Sequence, residues 1–250
     1  MVIGRAFSTG FRIFDACGNC PIQKPVPLVF ICGEFLHLDS WKTTTGLFSK
    51  RGYSGMTIQF PNDDSIDGCV STIHDLISSA RLTSPILITH SFSSYLGQRY
   101  LESFGPKALI MINPIPPKLN KAFLSRLRIA FKQDICKYYS GFENSHYENN
   151  DNFMDINLTE SLPKSVFNLL KNPNEFSISI EPNAVPMRIL ISSGDYLFTC
   201  DELNVMKEIH GVDLESDIAA LSTSSRAPML DSNFSKIVDR QLFDWIEEIY

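Results

Sequence analysis

The sequence predicts an α/β protein with a mostly parallel central sheet flanked by helices. Short apolar runs bounded by Gly and Pro alternate with amphipathic stretches of helical length, and this is the order that parallel strands with crossover helices produce. The chain has 250 residues, of which 44% are hydrophobic and 20% are charged. That length is enough to bury the core of one large domain, so we predict a single domain over residues 1–250.

The apolar runs predict six strands, because they are short and rich in β-branched residues. The predicted strands cover residues 27–33, 54–60, 85–90, 108–114, 187–194 and 218–225. Between and after them, apolar side chains recur at helical spacing, as at Ile66, Val70, Ile73 and Ile77. The predicted helices cover residues 65–82, 93–104, 200–210 and 234–249.

Residues 1–26 allow two interpretations. The first fourteen residues contain Arg5 and Arg12, together with Ser8 and Thr9, and no acidic residue precedes Asp15. This composition is typical of a mitochondrial targeting segment, which would make the protein mitochondrial. The alternative is a first strand followed by a turn at residues 17–20, in a cytoplasmic protein.

Composition excludes several classes of function. A net charge of −6 and a pI near 5.4 argue against a nucleic-acid-binding protein. Six scattered cysteines in a chain of this size indicate free thiols in a reducing compartment. Cys17 and Cys20 form a C-x-x-C pair, but no second pair at metal spacing accompanies it, so we predict no metal and no cofactor. No apolar run approaches the about 20 residues of a membrane span.

The clearest chemical signal is Ser91, which lies between the predicted strand 85–90 and the predicted helix 93–104. A serine at such a sharp turn needs small residues two positions away on either side, because larger side chains would crowd the strand and the helix. Ser93 meets this requirement, whereas Thr89 is β-branched and meets it poorly. Upstream, the segment LVFICGEFLHLDSW ends an apolar run with Gly33 and continues through a loop to a tryptophan.

These features resemble the nucleophile elbow and the oxyanion loop of the α/β-hydrolases, the superfamily of many esterases and lipases. The resemblance covers about residues 27–250 and implies Ser91 as the nucleophile. It also implies the backbone N–H groups of Glu34 and Phe92 as the oxyanion hole. Cys32 stands where histidine is common in the family, and a Glu34 carboxylate that turned inward would disfavour an oxyanion.

The same resemblance places the acid of the catalytic triad at Asp195, directly after the strand 187–194, with Asp201 as the competing carboxylate. The place of the triad histidine falls on Arg226, and no histidine follows His210. Arginine stays protonated in proteins and cannot act as a general base, although it could pair with Asp195. His37 in the oxyanion loop and His146 could serve as substitute bases from above the site.

An insertion at about residues 116–185 falls where the family commonly has a helical cap. Residues 118–139 predict an amphipathic helix, either a lid packed on the core or a basic surface for acidic lipid or a protein partner. A second, shorter cap helix is predicted at residues 161–170.

Two functions follow from the resemblance. The first is a serine hydrolase of small acyl esters or thioesters, with an impaired or unorthodox triad. The second is a pseudoenzyme that uses the hydrolase scaffold to bind or assemble with a partner.

Overall fold

A computed structural model describes residues 9–18, 20, 22–131, 162–173, 178–179, 181, 184–213, 216–223, 225–231 and 234–250. Within these residues, seven strands form one sheet in the order β1-β3-β2-β4-β5-β6-β7. β1 is antiparallel to β3, and the remaining neighbours are parallel. The predicted fold class is therefore confirmed.

The six predicted strands are all present, with their ends trimmed. The strands are β1 Phe11–Phe14, β2 Leu28–Ile31, β3 Gly55–Ile58, β4 Ile86–His90, β5 Ala108–Ile112, β6 Met187–Ser192 and β7 Ile218–Leu221. β1 agrees with the alternative of a first strand, and it pairs with β3 at the edge of the sheet. A targeting role for the residues around it stays a prediction.

The helices agree with the predictions apart from shifts of a few residues at their ends and two larger differences. They are α1 Lys42–Lys50, α2 Ile66–Ser79, α3 Phe92–Ser103, α4 Lys121–Phe131, α5 Lys164–Lys171, α6 Cys200–His210, α7 Phe234–Val238 and α8 Asp244–Glu248. α1 is not predicted by the sequence, because its three threonines and one glycine have low helix propensity. The closing helix, predicted as continuous, contains a π-helical turn at Asp239–Phe243 that separates α7 from α8.

The centre of the sheet is buried on both faces. All residues of β2, β4 and β5 are buried, which explains why their sequences are continuous apolar runs. α3 packs closely on this centre at Gly97, where an added Cβ would lie 2.9 Å from Leu109 Cδ1 and 3.0 Å from Thr89 Cγ2. The helix that follows Ser91 is thus held directly against the strand that precedes it.

α4 and α5 belong to the predicted cap. The side-chain oxygen of Asn120 accepts a hydrogen bond from the backbone N–H of Phe123 at 2.7 Å, so α4 begins three residues later than the predicted 118. Phe123 and Leu127 on its apolar face are buried in the core. The predicted continuation of this helix from 132 to 139 lies outside the described residues.

Candidate active site

Ser91 occupies the sharp turn between β4 and α3. Its backbone has φ 55° and ψ −125°, a region that residues other than glycine rarely adopt, and strain of this kind is concentrated at functional sites. The Ser91 N–H donates to the carbonyl of Ile112 at 3.1 Å, which ties the turn to the end of β5. The local geometry is that of a nucleophile elbow.

The unusual Thr89 is accommodated by its neighbours. Its hydroxyl donates to the Ile110 carbonyl at 3.0 Å, and its methyl group faces the space that Gly97 leaves open on α3. On the other side of the turn, the Ser93 hydroxyl lies 3.0 Å from the Ile31 carbonyl and links α3 to β2. The space that a small residue at position 89 would provide is provided instead by Gly97 on α3.

Asp195 and Arg226 form a buried ion pair. Arg226 Nη1 lies 2.6 Å from Asp195 Oδ2 and 2.7 Å from Asp195 Oδ1, and both side chains have 0% exposure. Arg226 Nη2 also donates to Ser91 Oγ at 3.0 Å. The structure therefore brings Ser91, Asp195 and Arg226 together in the triad arrangement, whereas Asp201 lies exposed in the first turn of α6.

Glu34 turns its carboxylate inward, towards Ser91 and the Phe92 N–H that the resemblance assigns to an oxyanion hole. Glu34 Oε1 accepts the Ser91 hydroxyl at 3.0 Å, and Oε2 accepts the backbone N–H of Phe92 at 3.1 Å. The Glu34 residue is only 1% exposed. The Phe92 N–H thus points into the site as expected, but it is engaged by the side chain of the other predicted contributor to the hole.

His90 and Asn113 fix the backbone of Arg226, a role that the sequence does not predict. His90 Nε2 lies 2.8 Å from the Arg226 carbonyl, and Asn113 Nδ2 donates to the same oxygen at 2.6 Å. Burial lowers the pKa of His90 to about 3, so the ring is neutral and its Nε2–H donates. Gly33 permits this packing, because an added Cβ would lie 2.5 Å from His90 Nδ1.

The sequence signal for Asn113 is its residue type at the end of a predicted strand. Asn113 directly follows β5 and has φ 46°, and Asn is one of the few residues that tolerate such a backbone. Its side chain also donates to Ser192 Oγ at 2.8 Å, and its Oδ1 accepts the Ser192 N–H at 2.7 Å. Asn113 therefore joins the ends of β5 and β6 to the segment that carries Arg226.

Neither of the two predicted substitute bases is seen in contact with Ser91 in the described part of the chain. His37 Nδ1 lies 3.4 Å from the carboxylate of Asp39, and its side chain is 37% exposed. His146 lies outside the described residues. The buried His210 pairs with Gln98 Oε1 at 2.7 Å, and burial lowers its pKa to about 4.

Among the described residues, no group of three or more His, Cys, Asp or Glu side chains could hold a metal ion. Cys20 Sγ donates to the Lys50 carbonyl at 3.0 Å, and Cys17 is exposed. In the part of the chain that the structure describes, no helix is long and apolar enough to cross a membrane.

Comparisons with solved structures define the class of fold. The chain is similar to a carboxylesterase of Nitrososphaera gargenis, with 14% identity, a TM-score of 0.69, and coverage of 96% of this chain and 94% of that one. An esterase of Thermogutta terrifontis gives 12% identity and a TM-score of 0.70, covering 96% and 93%. A monoacylglycerol lipase of Paleococcus ferrophilus gives 13% identity and a TM-score of 0.66, covering 98% and 100%.

This chain has the α/β-hydrolase fold over nearly its whole length, as the resemblance implied. No family model matches the sequence, and no curated protein sequence is significantly similar to it. At these identities the similarity establishes the fold, and the function has to be argued from the site itself.

Proposed function

We propose that this chain is a catalytically inactive protein with a hydrolase fold, which acts by binding or by assembling with a partner. The observation that carries the proposal is the contact of Arg226 with both Asp195 and Ser91. A triad base must take the proton of the serine hydroxyl and return it to the leaving group. A guanidinium has a pKa above about 12 and already donates a hydrogen bond to this oxygen, so it cannot accept that proton.

Glu34 supports the same proposal from the other side of Ser91. An oxyanion hole needs N–H donors that are directed at the developing negative charge. Here the Phe92 N–H already donates to a carboxylate, and an oxyanion in the same place would lie against that charge. Losing a single oxyanion-hole donor typically lowers kcat about 10²- to 10³-fold, and the absence of a base adds a further loss.

Covalent labelling with a fluorophosphonate probe tests the proposal. The purified full-length chain should give no more labelling than the Ser91→Ala variant, and it should not hydrolyse p-nitrophenyl acetate above that control. Arg226→His combined with Glu34→Ala should gain labelling at Ser91, whereas Arg226→His alone should not. Stoichiometric labelling of Ser91 in the unmodified chain would show that the proposal is wrong.

A serine ester or thioester hydrolase is the second candidate, and the 3.0 Å contact from Ser91 Oγ to Glu34 Oε1 favours it. In that reaction Ser91 Oγ would bond to the acyl carbon as its proton passes to Glu34, and Glu34 would return the proton to the departing alcohol or thiol. Water would then release the acid from the acyl-enzyme. With Glu34 as the base, the unmodified chain should be labelled and Glu34→Gln should not.

The histidine versions of this second candidate are tested in the same assay. If His37 or His146 supplied the base, His37→Ala or His146→Ala would abolish labelling while Glu34→Gln retained it.

A mitochondrial location stays a separate prediction, and imaging of a fluorescent protein fused behind residues 1–26 tests it. A diffuse cytoplasmic signal would support the alternative location.

A further inference from the structure

The two helices of the cap that the structure describes, α4 and α5, carry a concentration of positive charge. α4 (KAFLSRLRIAF) and α5 (KSVFNLLK) contain five basic residues and no acidic residue, although the chain as a whole has a net charge of −6. Lys118 precedes α4 and is also exposed. These two helices are therefore opposite in sign to the average of the molecule.

Two of these basic residues are paired with carboxylates. Arg126 pairs with the buried Glu202 at 2.7 Å, and Lys164 lies 3.1 Å from the exposed carboxylate of Asp64. Apart from these two, the exposed basic residues are Lys118, Lys121, Arg128 and Lys171.

Two large apolar side chains lie among these cations. Ile129 on α4 is 53% exposed, and Phe167 on α5 is 49% exposed. Lys171 Nζ lies 4.4 Å from the centre of the Phe167 ring, so a cation and an aromatic ring share the outer face of α5. Arg128 Nη2 donates to the Leu170 carbonyl at 3.4 Å, which links α4 to the last turn of α5.

The buried faces of both helices are already used for packing. Phe123 and Leu127 of α4 and Val166 and Leu169 of α5 all have 0% exposure. Burial therefore does not explain the exposed Ile129 and Phe167, and the core does not need the surrounding lysines and arginines. We use the name cap surface for Lys118, Lys121, Arg128, Ile129, Phe167 and Lys171.

We propose that the cap surface docks on an anionic lipid bilayer. Basic side chains near such a bilayer are attracted by its surface potential, and apolar side chains between them can enter the boundary between headgroups and acyl chains. This combination fits a lipid surface better than a soluble anion, which would not use Ile129 and Phe167. The proposal goes beyond the proposed function and does not depend on whether Ser91 is reactive.

Flotation of the full-length chain with vesicles tests this docking. We expect binding to vesicles of phosphatidylcholine and phosphatidylserine at 7:3, weaker binding when the salt is raised from 50 to 500 mM, and little binding to phosphatidylcholine alone. Each basic residue near the surface contributes about fivefold in affinity, so Arg128→Gln with Lys171→Gln should weaken binding about 25-fold. Ile129→Ser with Phe167→Ser should also weaken it, without changing the net charge.

The matched control is Lys42→Gln with Lys236→Gln, which removes two exposed positive charges from α1 and α7. This control should bind as the unmodified chain does, and circular dichroism melting should confirm that every variant is folded. Equal weakening by the control and by the cap variants would show a net-charge effect and overturn the proposal. Failure of the unmodified chain to bind the anionic vesicles would overturn it as well.

Discussion

The buried pair of Asp195 and Arg226 makes a quantitative prediction about stability. Replacing Arg226 with Met keeps most of its volume but leaves the Asp195 carboxylate without the guanidinium that contacts both of its oxygens. At an effective dielectric constant of about 20 and a charge separation of about 4 Å, the lost attraction is about 4 kcal/mol. Removal of one partner from buried ion pairs costs about 3–5 kcal/mol, so we expect Arg226→Met to lower the free energy of unfolding by that amount.

Urea denaturation at pH 7 measures this change, and two comparisons make it specific. Arg12 and Asp39 form a pair of similar length, 2.8 Å, but both side chains are 49% exposed. Arg12→Met should therefore cost less than about 1 kcal/mol. Asp195→Leu combined with Arg226→Met should recover most of the loss, because it removes the Asp195 carboxylate together with the guanidinium that neutralises it. If Arg226→Met cost no more than Arg12→Met, the buried pair would not stabilise the fold as we argue.

Three further predictions concern the surroundings of the site. The pKa of His90 is about 3 in the folded state and about 6.5 in the unfolded state, so the unfolded state binds the proton first as the pH falls. The free energy of unfolding, measured by urea denaturation, should therefore decrease from pH 7 to pH 5. His90→Gln should reduce the slope of this free energy against pH by up to about 1.4 kcal/mol per pH unit. Gly33→Ala should destabilise the fold by about 1–3 kcal/mol in thermal or urea melts, because the added Cβ would overlap the ring of His90. Gly46→Ala should stabilise the fold by about 0.5–1 kcal/mol, because Gly46 lies in helix α1 and has no atom within 4 Å of an added Cβ. Burial raises the pKa of the Cys32 thiol to about 12, so peptide mapping after native iodoacetamide treatment at pH 8 should find Cys17 modified and Cys32 unmodified; rapid labelling of Cys32 would contradict its burial.

The fold could be predicted because its signals are local. The central strands are buried on both faces and therefore appear as short continuous apolar runs, while α2 shows helical spacing and begins at the capping residue Ser65, whose hydroxyl accepts from the Gly68 N–H at 3.0 Å. α1 escaped prediction because its weak propensity is overridden by packing: Phe48 is buried against Phe243, with ring centres 4.0 Å apart. That contact joins residues almost two hundred positions apart, and no local pattern contains it.

The site could be predicted in part for a related reason. Ser91, Asp195 and Arg226 each follow a strand, and the carboxyl ends of parallel strands meet at one edge of the sheet. The direction of the Glu34 side chain and the use of Asn113 as a link between strand ends depend on three-dimensional contacts. The sequence leaves open whether the Glu34 carboxylate turns inward. Its contact with Ser91 in the structure shows that it does.

The departures at positions 34 and 226 are physically coupled through a single oxygen atom. Ser91 Oγ donates a hydrogen bond to Glu34 and accepts one from Arg226, so the hydroxyl connects a carboxylate to a guanidinium. A histidine at position 226 would remove a permanent positive charge and leave the buried carboxylates of Glu34 and Asp195 at the same site, which is costly in a medium of low dielectric constant. An alanine at position 34 would instead free the Phe92 N–H while Arg226 still held the hydroxyl. Because each single reversal leaves either a charge imbalance or a missing base, a hydrolase-like site requires both changes together, and this is why the double variant is the decisive one.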